Sequence, residues 1–280
     1  MTPDRYAVVG NPIGHSLSPR IHSLFAEQTA QNLVYEARLG RPEHFAADVH
    51  AWFQQGLCGL NVTVPFKEEA WRLVNQRTRR ADRAGAVNTI WSEADGALTG
   101  DNTDGAGFLR DLTERMHFDP AGRGILILGA GGATRGLLEP LLGAAPTHVV
   151  IANRTPEKAL YLQQEFTGIA GGVRLAACGL DDIPAGPHDL VINATAAGLG
   201  TGRLALPAGL IAPTGLAYDL VYGPAADPFL EWARAQGAAE VTDGLGMLVE
   251  QAAEAFAIWR GVRPMTGPVL AALRSTSIAE

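Results

Sequence analysis

The segment Ile125-Leu-Ile-Leu-Gly-Ala-Gly-Gly-Ala-Thr-Arg135 narrows the possible folds of this chain more than any other stretch. An apolar run, Gly124–Leu128, breaks into a loop at Gly129–Gly132, and a helical pattern over Thr134–Leu142 follows. Glycines placed where a strand turns into a helix let backbone N–H groups approach a pyrophosphate at the helix N-terminus. Gly129 and Gly131 fill the first two positions of G-x-G-x-x-G with Ala130 between them, Gly132 and Ala133 continue the turn, and Thr134 stands at the third glycine position. The same glycines would also serve a tight strand-to-helix turn that holds no ligand. Further apolar runs at His148–Ala152, Leu190–Asn193 and Ala217–Val221 alternate with helical patterns. Such βαβ succession predicts an α/β fold with a doubly wound parallel sheet.

The end of the second strand of that series bears on the ligand. An NAD enzyme carries Asp or Glu there, roughly 20 residues beyond the glycines, on the ribose 2′-hydroxyl. This chain reads Asn153-Arg154-Thr155, with Lys158 one turn later. A guanidinium can stack on and hydrogen-bond a 2′-phosphate, and the ammonium of Lys158 adds charge. Taken alone, the stretch is equally a basic strand end followed by a helix N-cap at Thr155. Coupled to the glycine loop, it predicts NADP over NAD.

A chain of 280 residues has room for about two domains. Ahead of the βαβ series, Tyr6–Val9 predicts a strand ending in the turn Gly10-Asn-Pro-Ile-Gly14. Ser18 is expected as the N-cap of a helix with Pro19 at its first position. Leu57–Val64 reads as a strand stopped by Pro65, Phe66–Asn75 as a helix, and Val87–Trp91 as a strand leading to a hairpin through Ala94-Asp-Gly96. The turn formers Gly100–Gly105 precede a helical pattern at Phe108–Met116, and a last helix spans about Leu245–Arg260. The expected plan is a first α/β domain at 1–105 and a Rossmann-like dinucleotide domain at 106–240. A C-terminal helical segment, 241–280, would return to the first domain and tie two lobes around a cleft.

Charge and cysteine content exclude several function classes. With 22 basic and 29 acidic side chains the formal net charge is −7, the wrong balance for an electrostatic nucleic-acid binder. No apolar run approaches the ~20 residues of a membrane span. Cys58 and Cys178 are far apart and lack metal-ligand spacing, so neither a disulfide framework nor a metal site is expected. The reading is a cytoplasmic protein acting on small molecules, as a monomer or homodimer.

Two residues stand out by position. Lys67 falls in the first helical turn after Pro65, where a cation opposes the helix dipole. That field favours the neutral amine, which suits acid–base chemistry; a solvated lysine paired with Glu68 or a later acid is the plain alternative. Gln251 lies on the apolar stripe of the last helix, near Leu248, Ala255 and Ile258, while Glu250 and Glu254 are expected to face away. A buried amide needs partners, and a neighbouring backbone would also provide them. Asn61, Thr63 and Asn88 are polar groups at strand ends, which suits a polyhydroxylated ligand.

Gly10-Asn-Pro-Ile-Gly-His-Ser-Leu-Ser-Pro19, Asn61-Val-Thr-Val-Pro-Phe-Lys-Glu68, Gly85-Ala-Val-Asn-Thr89, Gly100-Asp-Asn-Thr-Asp-Gly105 and Asp243-Gly-Leu-Gly-Met-Leu248 follow one another in order. Together with the glycine loop they closely resemble the shikimate dehydrogenase family, from Tyr6 through the last helix. The resemblance implies NADPH-dependent, reversible reduction of 3-dehydroshikimate to shikimate, in the making of chorismate and aromatic amino acids. It makes the first domain the substrate and catalytic domain. It further implies Lys67 as the acid–base group, with Asp104 as a partner that its sequence setting alone reads as a turn or N-cap residue. Ser16 and Ser18 would face the substrate carboxylate, and Asn61, Thr63, Asn88, Tyr222 and Gln251 the rest of the substrate. Leu220 and Gly244 match positions near the nicotinamide. Two departures stand out: Ala196-Ala197 where relatives often carry hydroxyls or bulkier groups, and Arg79 in place of an acid. Two other classes remain open, a relative preferring quinate or NAD and a nucleotide-sensing module, although a sensor has no need of an acid–base lysine.

Overall fold

Alternating and β-branched apolar residues draw Asp4–Gly10 into a strand, β1, whose last five residues are buried. The computed structural model describes residues 2–195 and 206–277. They form two units, Met1–Gly107 with Leu248–Glu280, and Phe108–Met247. In the first unit β1 pairs in parallel with β2 (Leu33–Leu39) and β3 (Leu57–Val62), with helices α1 (Ser18–Gln28) and α2 (Phe45–Gln54) in the crossovers. Then follow α3 (Lys67–Leu73), β4 (Gln76–Arg77), α4 (Arg79–Ala84), β5 (Thr89–Ser92), β6 (Leu98–Asp101) and α5 (Asp104–Arg110). The sheet runs β2-β1-β3-β5-β6-β4, and the β3–β5 and β5–β6 pairs are antiparallel. The predicted hairpin closes through Gly96, whose φ of 84° suits glycine alone, with Glu93 N donating to Ala97 O. Phe45 and Phe66 stack at 4.8 Å in the core below.

The second unit holds β7 (Gly124–Leu128), α6 (Gly132–Gly143), β8 (His148–Asn153), α7 (Pro156–Thr167), β9 (Arg174–Gly179), β10 (His188–Asn193), β11 (Ile211–Asp219), α8 (Asp227–Ala235) and β12 (Glu240–Thr242). All six strands are parallel, in the order β12-β11-β10-β7-β8-β9. The chain thus leaves the middle strand β7 first toward β9 and later toward β12, and a dinucleotide binds beside such a reversal. Every residue of β7 is buried. Ile125 and Ile127 pack with Leu137 and Phe166 on one face, Leu126 and Leu128 with Ala217 and Phe229 on the other. Helix α9 (Leu245–Arg260) starts in this unit and runs on into the first, where α10 (Thr266–Ser277) also belongs.

Three local expectations need correction. Ser18 is not the N-cap of α1: Leu17 holds that place, Ser18 is the first helical residue, and Ser16 Oγ accepts from Ser18 N at 3.3 Å. The hydroxyl two residues upstream therefore does the satisfying. The strand ends at Val62, not Val64: Thr63 N completes the Val9–Val62 bridge on Val9 O, and Thr63 O then accepts from Phe66 N as the chain turns. The helix expected over Phe108–Met116 widens to a π turn at Asp111–Arg115, with Met116 N bonded to Asp111 O. There Asp111, 1% exposed, takes both Arg115 (2.5 and 2.7 Å) and the Tyr218 phenol (2.5 Å). A buried carboxylate needs such partners, and local propensity yields to them.

Two histidines are buried and neutral. Burial holds His22 down to about 3, and His188, beside His148, down to about 4. A group whose folded-state value lies below its unfolded value of ~6.5 takes up a proton on unfolding. Its contribution is full above that value and is lost as pH falls toward the folded value. His188→Asn should therefore flatten the acid limb of stability. Between about pH 7.5 and about pH 4.5 the parent chain should lose roughly 2–3 kcal/mol relative to this variant in urea unfolding. A difference that does not change with pH would show that His188 is solvated or charged in the folded chain.

Candidate active site

Pro65 and Phe66 turn the chain out of β3 so that Lys67 opens α3, and Val87 N donates to Lys67 O at 2.9 Å. Lys67 Nζ lies 2.6 Å from Asp104 Oδ2, with the side chains 28% and 14% exposed. Glu68, the alternative partner, instead faces Arg72 in solvent. Asp104 is the first residue of α5, yet its carboxylate does no capping. Asp104 N donates to Asn102 Oδ1 at 3.1 Å, and the Asp104 Oδ1 not facing lysine accepts from Asn88 Nδ2 at 2.9 Å. A half-buried ammonium held by an oriented carboxylate can donate to, or take a proton from, an oxygen placed beside it.

Asn88 is the hub around this pair. Only 2% exposed, it also donates to Thr103 Oγ1 (2.9 Å) and Gln251 Oε1 (3.3 Å), and accepts from Thr103 N (2.9 Å) and the Thr89 hydroxyl (2.8 Å). Gln251 Nε2 returns to Leu248 O at 2.9 Å. The expected outward position of Glu250 and Glu254 is wrong. Glu250 is 7% exposed, and both carboxylates hold Arg263, at 2.7 and 2.6 Å. Asn61 lies one layer deeper: its amide donates to Asn88 O (3.0 Å) and Thr89 Oγ1 (3.1 Å) and accepts from the Tyr35 phenol (2.7 Å). Ser18 and His22 are buried in the same layer, where the His22 ring stacks on Tyr35 at 4.1 Å and its Nε2 finds no hydrogen-bond partner. Ser16 is half-buried at the entry to α1, and the Thr63 methyl presses on Gly10, where a Cβ would lie 2.5 Å away. Sequence reasoning missed Tyr35, His22 and Thr103. Of these only Thr103, inside the Gly100–Gly105 turn, carried a local signal.

In the second unit the glycine loop fits a dinucleotide. Gly129 has a φ of 110°, and a Cβ there would lie 2.9 Å from Ala194 O, so only glycine is tolerated. Gly131, Gly132 and Ala133 are exposed, and a Cβ on either glycine would meet open space, which leaves their backbone free to receive phosphate. Thr134 explains its departure from glycine: fully buried, its hydroxyl donates to Gly129 O at 2.8 Å and ties helix to loop. Asn153 joins the two halves of the site, accepting from Ala130 N (3.1 Å) and donating to Thr155 O (2.9 Å). Arg154, Thr155 and Lys158 are exposed beside it; Thr155 is the N-cap of α7, although its side chain makes no capping bond.

Beyond β11, Leu220 N donates to Asn193 O, and Gly244 lies so close to Leu220 O that a Cβ would be 2.2 Å away. Tyr222 is half-buried, and burial pushes its phenol up. Asp219, which sequence reasoning did not single out, is pushed up to about 6, chiefly by burial. Ala196 and Ala197 lie outside the described residues. Among the described residues no three His, Cys, Asp or Glu converge on a metal position, and no helix is long and apolar enough to cross a membrane.

Fold and site together describe an α/β chain whose first unit carries a lysine–carboxylate pair among amides and whose second is of dinucleotide type. Comparison with known proteins is consistent along the chain. Family models match residues 8–90 (shikimate dehydrogenase substrate binding domain), 111–199 (shikimate / quinate 5-dehydrogenase) and 244–274 (shikimate 5′-dehydrogenase C-terminal domain). The shikimate dehydrogenase (NADP(+)) of Alkalilimnicola ehrlichii is 56% identical over 271 residues, 97% of this chain and 98% of that one. The crystal structure of an Ael1 enzyme from Pseudomonas putida matches with a TM-score of 0.87 and 45% identity, covering 96% of this chain and 98% of that one. The Thermus thermophilus shikimate 5-dehydrogenase in complex with NADP(H) and shikimate matches with a TM-score of 0.83 and 36% identity, covering 97% and 99%. The chain belongs to the shikimate dehydrogenase family.

The contact between α5 and α9 is testable. A Cβ on Gly107 would lie 2.5 Å from Gln251 N. Gly107→Ala should therefore force the two helices apart, at a cost of about 1–3 kcal/mol in stability, and lower kcat/KM. The Kd for NADPH should stay unchanged in a fluorescence titration, because Gly107 is in the other unit. An unaltered kcat/KM would show that this contact does not set the site.

Proposed function

We propose that this chain catalyses the NADP-dependent, reversible reduction of 3-dehydroshikimate to shikimate, a step toward chorismate and the aromatic amino acids. The observation that carries the reading is the 2.6 Å pair of Lys67 and Asp104, ringed by the Asn88 and Gln251 amides, in a chain of this family. Its place of work is the cytoplasm, in keeping with two free cysteines, as a monomer or homodimer.

The second unit would hold the cofactor through residues 129–133 on the pyrophosphate, and through Asn153, Arg154, Thr155 and Lys158 on the adenosine phosphate. Leu220 and Gly244 would border the nicotinamide, which when bound supplies the hydride. Lys67 then gives its proton to the C3 oxygen as the carbonyl becomes an alcohol, and takes that proton back in the oxidation. Asp104 orients the ammonium and accepts from a substrate hydroxyl, while Asn88 fixes the carboxylate's other oxygen. Ser16 and Ser18 would receive the substrate carboxylate; Asn61, Thr63, Tyr222 and Gln251 would complete recognition. The half-burial of Lys67 supports this role, since a partly dehydrated ammonium keeps its proton directed instead of sharing it with bulk water.

Lys67→Ala should fold and bind NADPH with unchanged Kd by calorimetry, yet lose ~10²–10⁴-fold in kcat, the usual loss for a positioned proton-transfer group. Lys67→Arg should not recover turnover, because guanidinium keeps its proton at any working pH. Turnover of Lys67→Ala within a few-fold of the parent would reject the assignment. The substrate is checked by assaying shikimate and quinate, each with NADP and NAD; faster turnover of quinate would move the chain to the other known branch of its family.

Arg154→Ala gives a separate test of cofactor choice. Loss of a charge-assisted bond to the 2′-phosphate should weaken NADP by roughly 1–3 kcal/mol and leave NAD nearly unaffected. Equal losses for both, measured by titration, would show that Arg154 does not read that phosphate.

A further inference from the structure

We propose that Arg80 is a positioning residue for this reaction, fixing through Asp101 the turn that carries Asp104 and through Glu254 the helix that carries Gln251; this rests on the function proposed above. Asp101, the last residue of β6, is only 3% exposed. Its carboxylate takes Arg80 Nε on Oδ1 (2.7 Å) and Arg80 Nη2 on Oδ2 (2.6 Å), and Oδ1 also accepts from the Thr78 hydroxyl (2.5 Å) and Asn102 N (2.7 Å). A carboxylate that deep needs a cation and several donors, and Arg80 is the cation.

From Asp101 the constraint passes along the chain one residue at a time. Asn88 N donates to Asp101 O at 3.0 Å, so the hub strand is pinned to the same residue. Asn102, anchored by its N–H on Asp101, sends Nδ2 to Ala86 O (3.1 Å) and receives Asp104 N on Oδ1 (3.1 Å). Asp104 thereby begins α5 with its carboxylate aimed at Lys67 and Asn88. No step of this path leaves a rotamer free to swing.

The third nitrogen of the guanidinium points the other way. Arg80 Nη1 reaches Glu254 Oε1 at 3.2 Å, Glu254 Oε2 takes Arg263 at 2.6 Å, and Arg263 takes Glu250 at 2.7 Å. Glu250 and Glu254 bracket Gln251 on α9. One planar fork thus joins the turn bearing the carboxylate to the helix bearing the amide. Lysine, a single point charge with no fixed fork, cannot hold both directions at once.

The test separates the two arms. Asp101→Asn keeps the shape and removes the charge on the Asp104 side, and should act mainly on kcat. Glu254→Gln weakens the Gln251 side, and should raise the KM for shikimate a few-fold while kcat stays within about twofold. Arg80→Met should do both, with kcat/KM down roughly 10–100-fold, the scale of a small misplacement of reacting groups. Arg80→Lys should recover only part of that loss, and added methylguanidinium should restore Arg80→Ala partly. NADPH Kd should be unchanged throughout. A variant that merely unfolds lowers the active fraction, so kcat would drop with KM constant in all five, which would overturn the proposal. So would Arg80→Met with parental kcat and KM. Failure of the underlying reading is distinguishable, because it shows in Lys67→Ala, which would then keep its turnover whatever Arg80 does.

Discussion

Everything at the lysine pair depends on one buried amide, Asn88, which has no water to turn to. At 2% exposure its oxygen and nitrogen must be satisfied by the protein, and they are, by Thr89, Thr103, Asp104 and Gln251. Those partners come from β5, the turn after β6, α5 and α9. A fully satisfied polar cluster in a low-dielectric setting rigidifies, whereas a half-satisfied one costs more than an apolar core. The amide therefore selects one arrangement of four elements, and Lys67 meets its carboxylate in that arrangement.

The same logic explains what could and could not be read from the sequence. The glycine loop, the βαβ alternation and Asn153-Arg154-Thr155 are local: strand, turn and helix signals lie within a few residues of one another. Thr134 looked like a defect of the fingerprint and proves to be a substitute, its hydroxyl bonding Gly129 O where a third glycine would allow close packing. The Asn88 cluster is not local. Gln251 is 163 residues from Asn88, and Glu254 is 174 from Arg80. No periodicity connects such positions. Position alone marks Lys67 and Gln251, Asp104 stands out only through the family resemblance, and Tyr35 and His22 look like ordinary strand and helix residues until the fold stacks them at 4.1 Å. Glu250 failed for the complementary reason. A helical projection assumes that acids face water, and it does not see Arg263 arriving from beyond the helix end.

The two units differ in how their polar groups are used. In the first, nearly every donor near the pair is already bonded within the protein, so an arriving hydroxylated ligand exchanges bonds instead of filling vacancies. In the second, the backbone of Gly131, Gly132 and Ala133 and the cations Arg154 and Lys158 are exposed. An anion there would displace only solvent, and the helix end and Arg154 would meet its charge. Recognition of ring hydroxyls and of a phosphate would thus call for opposite local designs.

Asp219 shows what such sites cost in stability. Burial pushes it up to about 6, so its folded-state value exceeds its unfolded one. The folded chain then binds a proton more readily than the unfolded chain, and the ionised carboxylate opposes folding above that value. The strain is relieved as pH falls below it, opposite in sign to the effect of the buried histidines. A hydrophobic residue at that position would be free of this penalty. The carboxylate earns its place by accepting from Asn193 Nδ2 and Val221 N, both at 2.8 Å, while Asn193 Oδ1 takes Thr195 N and its hydroxyl. It thereby shapes both turns that leave β10 and β11, the first of them next to Gly129. Local instability at neutral pH is the physical counterpart of a fixed backbone at the edge of the dinucleotide-type sheet.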